Sequence, residues 1–228
     1  LIQKYKLKDA PVVDKDGNML GVVVYGDIIE VAREEVEEDF AKMAGFTQGF
    51  AEGALRQVGS RLPWLIITCL GGLAVSSVIN GFEGTLSKII ALASFSPLLA
   101  GIGGNVGSQT ATIVVRGMAT GLIKTGDERK AMLEESLVGL LMGVIYGIAI
   151  GSIADFMYGG RYGMLFGVVV GGAMAFSMIV SSLMASFAPF AFRRLGVDPA
   201  TASGPLITTT TDLLSNVFYF TLATWLLL

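Results

Sequence analysis

Histidine is absent from all 228 residues, and cysteine occurs once, at Cys69. Without imidazole and with a single thiol, a zinc or copper centre of the nitrogen–sulfur type is excluded. The HExxH motif of a metallopeptidase is excluded for the same reason, so any metal must be held by oxygen. One cysteine rules out a disulfide within the chain, and Cys69, set in an apolar run, reads as a small buried apolar residue. Charge is also scarce: Asp, Glu, Lys and Arg make up 15% of the chain against 53% hydrophobic residues. That apolar excess is more than a soluble core of this size needs and suits a surface that faces lipid. The expected partner is the bilayer, and no nucleic-acid partner is expected.

What charge there is lies mostly in the first fifty residues; after Leu62 it sits at the ends of apolar runs. The pattern predicts a soluble start joined to a membrane domain. The soluble part is not expected to be preceded by an Arg-flanked signal segment, and the chain reads as a fragment of something longer.

Five apolar runs approach the roughly 20 residues needed to cross a bilayer. They run from about Leu62 to Ile79, Leu86 to Met118, Leu133 to Ala154, Tyr162 to Phe187 and Pro205 to Leu227. Arg56 and Arg61 precede the first run. Lys124, Arg129 and Lys130 lie between the second and third, and Arg193 and Arg194 between the fourth and fifth. The other side has only Lys88 and Arg161. The positive-inside rule then predicts a cytoplasmic N-terminus and an outside C-terminus. Gly139, Gly143, Gly147 and Gly151 recur every fourth residue in the third run, as do Gly167 and Gly171 in the fourth. Such ridges allow close backbone approach, either between helices of one subunit or between subunits.

Two runs carry polar residues that lipid would not tolerate. The second is too long for one crossing and contains Pro97, Gly101, Gly103 and Gly104, which predicts an interruption of the helix there. If the helix resumes at Asn105, then Asn105, Ser108, Gln109, Thr112 and Arg116 share a face. That stripe fits a wet pore or hydrogen bonding between helices. The fifth run opens with Gly204-Pro205 and places Thr208, Asp212, Ser215 and Asn216 on one face. An ionised carboxylate about two turns into a span costs several kcal/mol unless it is paired or hydrated. The candidate partners of Asp212 are a mobile cation or its water, or Arg116 in a structural pair; a protonated Asp212 is the remaining alternative.

Ahead of the membrane, Asp27 is a candidate cap for a helix from Ile28 to about Ala44, with an apolar stripe of Ile28, Ala32, Val36, Phe40 and Met43. Its other faces carry Glu30, Glu34, Glu35, Glu37, Glu38 and Asp39. Like charges four residues apart destabilise a helix by a few tenths of a kcal/mol per pair, and a bound divalent cation would reverse the sign. The alternative is a solvated acidic linker. Upstream, Ala10 to Val24 reads as two short strands around an Asp-Gly-Asn turn.

Together these segments resemble the MgtE family of magnesium channels over nearly the whole chain. The resemblance rests on the run from Pro97 to Gln109 (PLLAGIGGNVGSQ), the run from Asp198 to Pro205 (DPATASGP), the aspartate seven residues after that second proline, and the acidic helix, which is similar to the family's plug helix. The hairpin followed by Tyr25-Gly26-Asp27-Ile28-Ile29 looks like the end of the family's second CBS domain. The implied fold is an all-α polytopic membrane protein with five transmembrane helices per subunit and a short α/β CBS remnant. Its implied domains are residues 1–24, an acidic connecting helix and linker over 25–60, and the pore domain over 61–228.

The resemblance implies a homodimer in the cell membrane whose pore lies between subunits. It would be lined by Gly104, Asn105, Ser108, Gln109 and Thr112 of the second span and by Gly204 and Pro205 of the fifth. It assigns the pore ion to Asp212 and to the carbonyl of Thr208, and a cytoplasmic regulatory cluster to Glu35, Glu38, Asp39 and Asp198, with Asp27 and Glu30 facing the soluble domains. Nucleotide binding, if any, would belong to the missing CBS pair. Some family members carry asparagine where this chain has Ser108 and Gly204. The implied activity is Mg2+ uptake gated by cytoplasmic Mg2+, with Mn2+ or Co2+ as alternative ions and a coupled secondary transporter as the alternative mechanism. No enzymatic activity is expected.

Overall fold

A computed structural model of the chain describes residues 7–46, 53–202 and 204–228. The described chain starts with a hairpin of β1 (Asp9–Val13) and β2 (Met19–Val24), paired antiparallel with Asp9 opposite Val24 and an irregularity between Val12 and Val13. Asp14 builds the turn. Its Oδ1 accepts from the backbone N–H groups of Asp16 at 2.9 Å and Asn18 at 2.8 Å, while Gly17 supplies the left-handed residue at φ 87°. Val12, Val13, Val22 and Val24 of the hairpin are exposed, so apolar side chains lie open on both of its faces.

β2 runs straight into α1 (Tyr25–Met43) with no loop, because Val24 is extended (φ −91°, ψ 156°) and the helix begins at the next residue. Asp27 is therefore the third helical residue and not the cap the sequence suggested. From there its carboxylate accepts the Val24 N–H at 3.2 Å. The apolar stripe does not form a packed face: Val36 and Phe40 are exposed, and the buried residue of α1 is Ala41, in the turn that docks on the membrane domain.

The membrane domain comprises α2 (Ala54–Gly81), α3 (Glu83–Lys88), α4 (Leu92–Ala119), α5 (Glu128–Tyr162), α6 (Leu165–Arg194), a 3-10 turn (Pro199–Ala202) and α7 (Pro205–Leu227). Four of these, α2, α4, α5 and α6, are long and apolar enough to cross a membrane. α7 has 23 residues, about 35 Å at the helical rise, but Asp212, Asn216 and its threonines dilute its apolar character.

The predicted interruption of the second span lies elsewhere. Helix is lost at 89–91, between α3 and α4, and α4 continues unbroken through Pro97 and the glycines to Ala119. Pro97 sits in the second turn of α4, where the only helical bond it forgoes is the one to the Ala93 carbonyl.

α4, α6 and α7 enclose the core, in which Leu92, Phe166, Val170, Met174, Met178, Tyr219 and Phe220 are all fully buried. Tyr219 donates its hydroxyl proton to the carbonyl of Leu92 at 3.0 Å, tying α7 to the first turn of α4. The glycine ridge of α5 packs within the chain: a Cβ on Gly143 would lie 2.9 Å from the Ala175 carbonyl oxygen, and one on Gly147 2.8 Å from that of Gly171. α2 is peripheral. Gly71 is its buried residue, and Cys69 points outward, because the helix meets the rest of the chain along a narrow seam with α7.

Candidate functional site

Asp212 lies two turns into α7, where Pro205 at the start of the helix supplies a preset φ. One of its carboxylate oxygens, Oδ1, is buried without a hydrogen-bond partner among the described residues. No ion pair joins Asp212 to Arg116 among those residues, and Arg116 is exposed. The carboxylate borders a cavity of about 290 Å³ between α2, α4 and α7, with Thr68, Ser96, Thr209 and Asn216 contributing polar atoms to its wall.

Asn216, one turn beyond Asp212, fixes the frame. Its amide donates to the Asp212 carbonyl at 2.8 Å and its Oδ1 accepts from Ser96 Oγ at 2.6 Å, so α4 and α7 are stitched beside the carboxylate. Gly104 lets α4 come close: a Cβ there would lie 3.2 Å from Thr208 Cγ2 and 4.0 Å from Asp212 Oδ1. The Thr208 carbonyl accepts from Thr211 Oγ1 at 2.9 Å, and the Thr208 hydroxyl donates back to the Gly204 and Pro205 carbonyls at 3.2 Å. Gly204 takes φ +61°, the left-handed region, at the turn that launches α7.

The polar stripe on α4 faces away from the chain. Asn105, Gln109 and Thr112 are exposed and Ser108 is half-buried. Thr112 returns its proton to the Ser108 carbonyl at 2.8 Å. A membrane helix thus presents amides and hydroxyls on the open side of the fold, next to the helix that carries Asp212.

The acidic residues of α1 divide into two groups. Asp27 and Glu30 are exposed in its first turns, and Glu35 is exposed in the middle. Glu38 and Asp39, in the penultimate turn, come up against Asp198, which precedes the 3-10 turn. No three acidic side chains converge tightly enough to hold a metal among the described residues. What joins the two segments is Lys42: its ammonium donates to Asp198 Oδ2 at 2.6 Å and lies 2.7 Å from Glu38 Oε1. Asp198 Oδ1 accepts the Ala200 N–H at 2.9 Å.

These contacts set the charges. Burial works to raise the Asp198 carboxyl, but the bonds from Lys42 and Ala200 outweigh it and hold the group below its ordinary range. The Asp39 carboxyl is pushed up, first by burial and then by the charge of Asp198. The sequence reading passed over Lys42, although its spacing four residues after Glu38 is a helix ion-pair signal. It also passed over Ser96 and Thr68, which carry no signal beyond their neighbours.

The profile of the MgtE family, described as a divalent cation transporter, matches residues 96–222. Three curated proteins, each called magnesium transporter MgtE, are similar over almost all of the chain. That of Thermus thermophilus is 34% identical over 231 aligned residues, which cover 100% of this chain and 50% of the relative. That of Enterococcus faecalis is 34% identical, covering 97% of this chain and 49% of the relative. That of Bacillus subtilis is 33% identical, covering 98% and 49%. The chain spans about half the length of these relatives.

Proposed function

The chain belongs to the MgtE family of divalent cation transporters, which are not enzymes, and we propose that it forms the membrane half of a Mg2+ channel whose ion passes Asp212. The observation that carries this reading is Asp212 Oδ1, buried and without a hydrogen-bond partner among the described residues, beside a cavity whose lining includes Thr68, Ser96, Thr209 and Asn216. A small hard cation that dehydrates reluctantly suits one carboxylate surrounded by neutral oxygens, which it meets through its own water. Mn2+ and Co2+ are the alternative ions.

The outward polar stripe of α4 supports a wet pathway on that side of the fold, completed by a second copy of the chain. In this arrangement α7 is the fifth span, Asn105, Ser108, Gln109 and Thr112 line the pathway with Gly104, Gly204 and Pro205, and the Thr208 carbonyl faces the ion. The N-terminus is cytoplasmic, in keeping with Arg56, Arg61, Lys124, Arg129 and Lys130 on that side of the cell membrane. The hairpin ending at residue 24 is the remnant of a CBS domain, α1 is the plug, and residues 61–228 form the pore domain. Cytoplasmic Mg2+ shared between Glu35, Glu38, Asp39 and Asp198 holds α1 over the pore mouth, favouring the closed state by binding it more tightly than the open one. Asp27 and Glu30 lie toward the soluble domains.

The test is Mg2+ flux into proteoliposomes. Asp212→Asn, which removes the charge at nearly constant volume, nearly abolishes divalent flux while the protein remains monodisperse and membrane-inserted. Wild-type flux through a well-folded Asp212→Asn protein would refute the assignment. Unitary current steps from the wild type separate a channel from a coupled transporter.

A further inference from the structure

The place assigned above to a regulatory cation is occupied by a cation that belongs to the chain. Lys42 Nζ contacts Asp198 Oδ2 at 2.6 Å and Glu38 Oε1 at 2.7 Å, bridging the last turns of α1 to the segment that leads into α7. The lysine side chain is the least exposed of the three, at 23% against 37% for Asp198 and 61% for Glu38. Steric fit backs the contact. A Cβ on Gly204 would lie 2.6 Å from the Met43 carbonyl oxygen, and one on Gly45 3.2 Å from Pro205 Cγ. The end of α1 therefore rests on the start of α7 within van der Waals distance, with the ammonium at the seam.

We propose that Lys42 is a tethered cation that competes with cytoplasmic Mg2+ for Glu38 and Asp198, and so sets the concentration at which the gate closes. The inference rests on the regulatory reading of the preceding subsection. Its first support is charge. Glu38, Asp39 and Asp198 bring three carboxylates to this end of α1, with Glu35 one turn back, and one ammonium leaves repulsion behind. A divalent ion in place of the ammonium would neutralise one charge more.

Its second support is proximity. Lys42 rides on the same helix as Glu38, one turn away, so the ammonium is present at the site at high effective concentration whatever the ionic conditions. A free divalent ion must displace it, which raises the concentration needed. An ammonium offers one charge and three donors, whereas the divalent ion gathers oxygens from all sides. Both at Asp198 Oδ2 would set an ammonium and a divalent ion within a few ångström of each other, so each weakens the binding of the other.

The experiment uses the full-length protein in excised patches, with open probability followed over a cytoplasmic Mg2+ titration. Lys42→Gln closes at about fivefold lower Mg2+ than wild type, the scale of one partly exposed ion-pair interaction. Lys42→Met, which keeps the aliphatic stem, behaves the same way and guards against a local folding defect in either variant. Lys42→Arg keeps the charge and closes near the wild-type concentration. An unchanged midpoint in both neutral variants would reduce Lys42 to a surface ion pair and overturn the proposal. A midpoint moved to higher Mg2+ would overturn it too, by making Lys42 a clamp that supports closure. Failure of the regulatory reading itself is told apart by the wild type alone, which would then stay open across the titration.

Discussion

Gly71 of α2 is seated on the side chain of Thr209 of α7, so closely that a Cβ at Gly71 would fall on Cγ2 of the threonine. Since Gly71 is the buried residue of α2, this seat ties the peripheral helix to the one that carries Asp212, and both residues border the cavity beside that carboxylate. Its neighbour Gly72 meets nothing within 4 Å.

Alanine separates the two glycines. In a helix interior the change gains up to about 1 kcal/mol of propensity. At Gly71 that gain is set against an overpacking cost of about 1–3 kcal/mol, because Thr209 and the helix axis must shift. Gly71→Ala is expected to lower the unfolding temperature in detergent, and Gly72→Ala to leave it unchanged or raise it slightly. Equal melting temperatures would show that α2 is not seated at this point.

Asn216 provides the next test. It holds Ser96 of α4 through its Oδ1 and the Asp212 carbonyl through its amide, and it is 2% exposed. Asn216→Ala leaves a buried hydroxyl without its acceptor, at a cost of about 1–3 kcal/mol. The expected outcome is a lower melting temperature together with reduced Mg2+ flux, since the frame around Asp212 loosens. Ser96→Ala removes the partner and is expected to lose less, because the Asn216 amide keeps its own bond. A larger loss for Ser96→Ala than for Asn216→Ala would contradict this ordering.

How far the sequence alone reaches is shown by three residues. Pro205 marks the start of α7 to the residue, because a proline is accommodated in the first helical turn and the glycine before it takes a left-handed turn. Pro97 misleads, because sequence does not reveal that the preceding helix has already ended at Lys88, and that the next helix runs on through this proline at the loss of the bond to the Ala93 carbonyl. Lys42 is legible as a partner of Glu38 by spacing, but its second partner, Asp198, lies 156 residues away and only the fold brings it near. The exposure of the Asn105–Gln109–Thr112 stripe is likewise a tertiary fact: periodicity places the three on one face, and the packing of α6 and α7 on the other face of α4 decides that this one stays open.

The seam between α1 and α7 has a definite pH response. Lys42 holds its proton more tightly than a free lysine, chiefly through its bonds to Asp198 and Glu38, so its contribution is complete below the ordinary value of 10.5 and fades only as pH rises through the raised one. Asp198 is held below its ordinary value of 3.8, so its contribution is complete above that value and is lost as pH falls through the depressed one. Asp39 has the opposite sign. Burial and then Asp198 raise its pKa, so its charged form opposes docking and protonation relieves the opposition. In magnesium-free buffer, spin-label distances between α1 and α7 are expected to show tighter docking as pH falls from neutrality through the raised Asp39 value, above 3.8, and Asp39→Asn to abolish the change. Looser docking over that interval would place the controlling group elsewhere.

The gate itself is tested by removing acidic charge from the seam. Glu38 and Asp198 face each other across α1 and the start of α7, and each is within ion-pair distance of Lys42. On the proposed mechanism a divalent ion takes the place of that ammonium and shares both carboxylates. Truncating either one removes a ligand of the divalent ion in the closed state; it also takes a partner from Lys42, the competing cation, which offsets only part of that loss. Asp198→Ala also removes the carboxylate oxygen that accepts the Ala200 N–H at 2.9 Å, in the turn that leads into α7. Both Glu38→Ala and Asp198→Ala are therefore expected to raise open probability at millimolar cytoplasmic Mg2+ and to shift the closing midpoint upward, Asp198→Ala by more. The direction is opposite to that of Lys42→Gln, so loss of an acid and loss of the base at one seam move the same titration apart. The measurement is open probability in excised patches of the full-length protein, whose soluble domains face the exposed Asp27 and Glu30 on this reading. If both acid variants shut at the wild-type Mg2+ concentration, α1 is a solvated acidic linker, and the pore closes by some other contact.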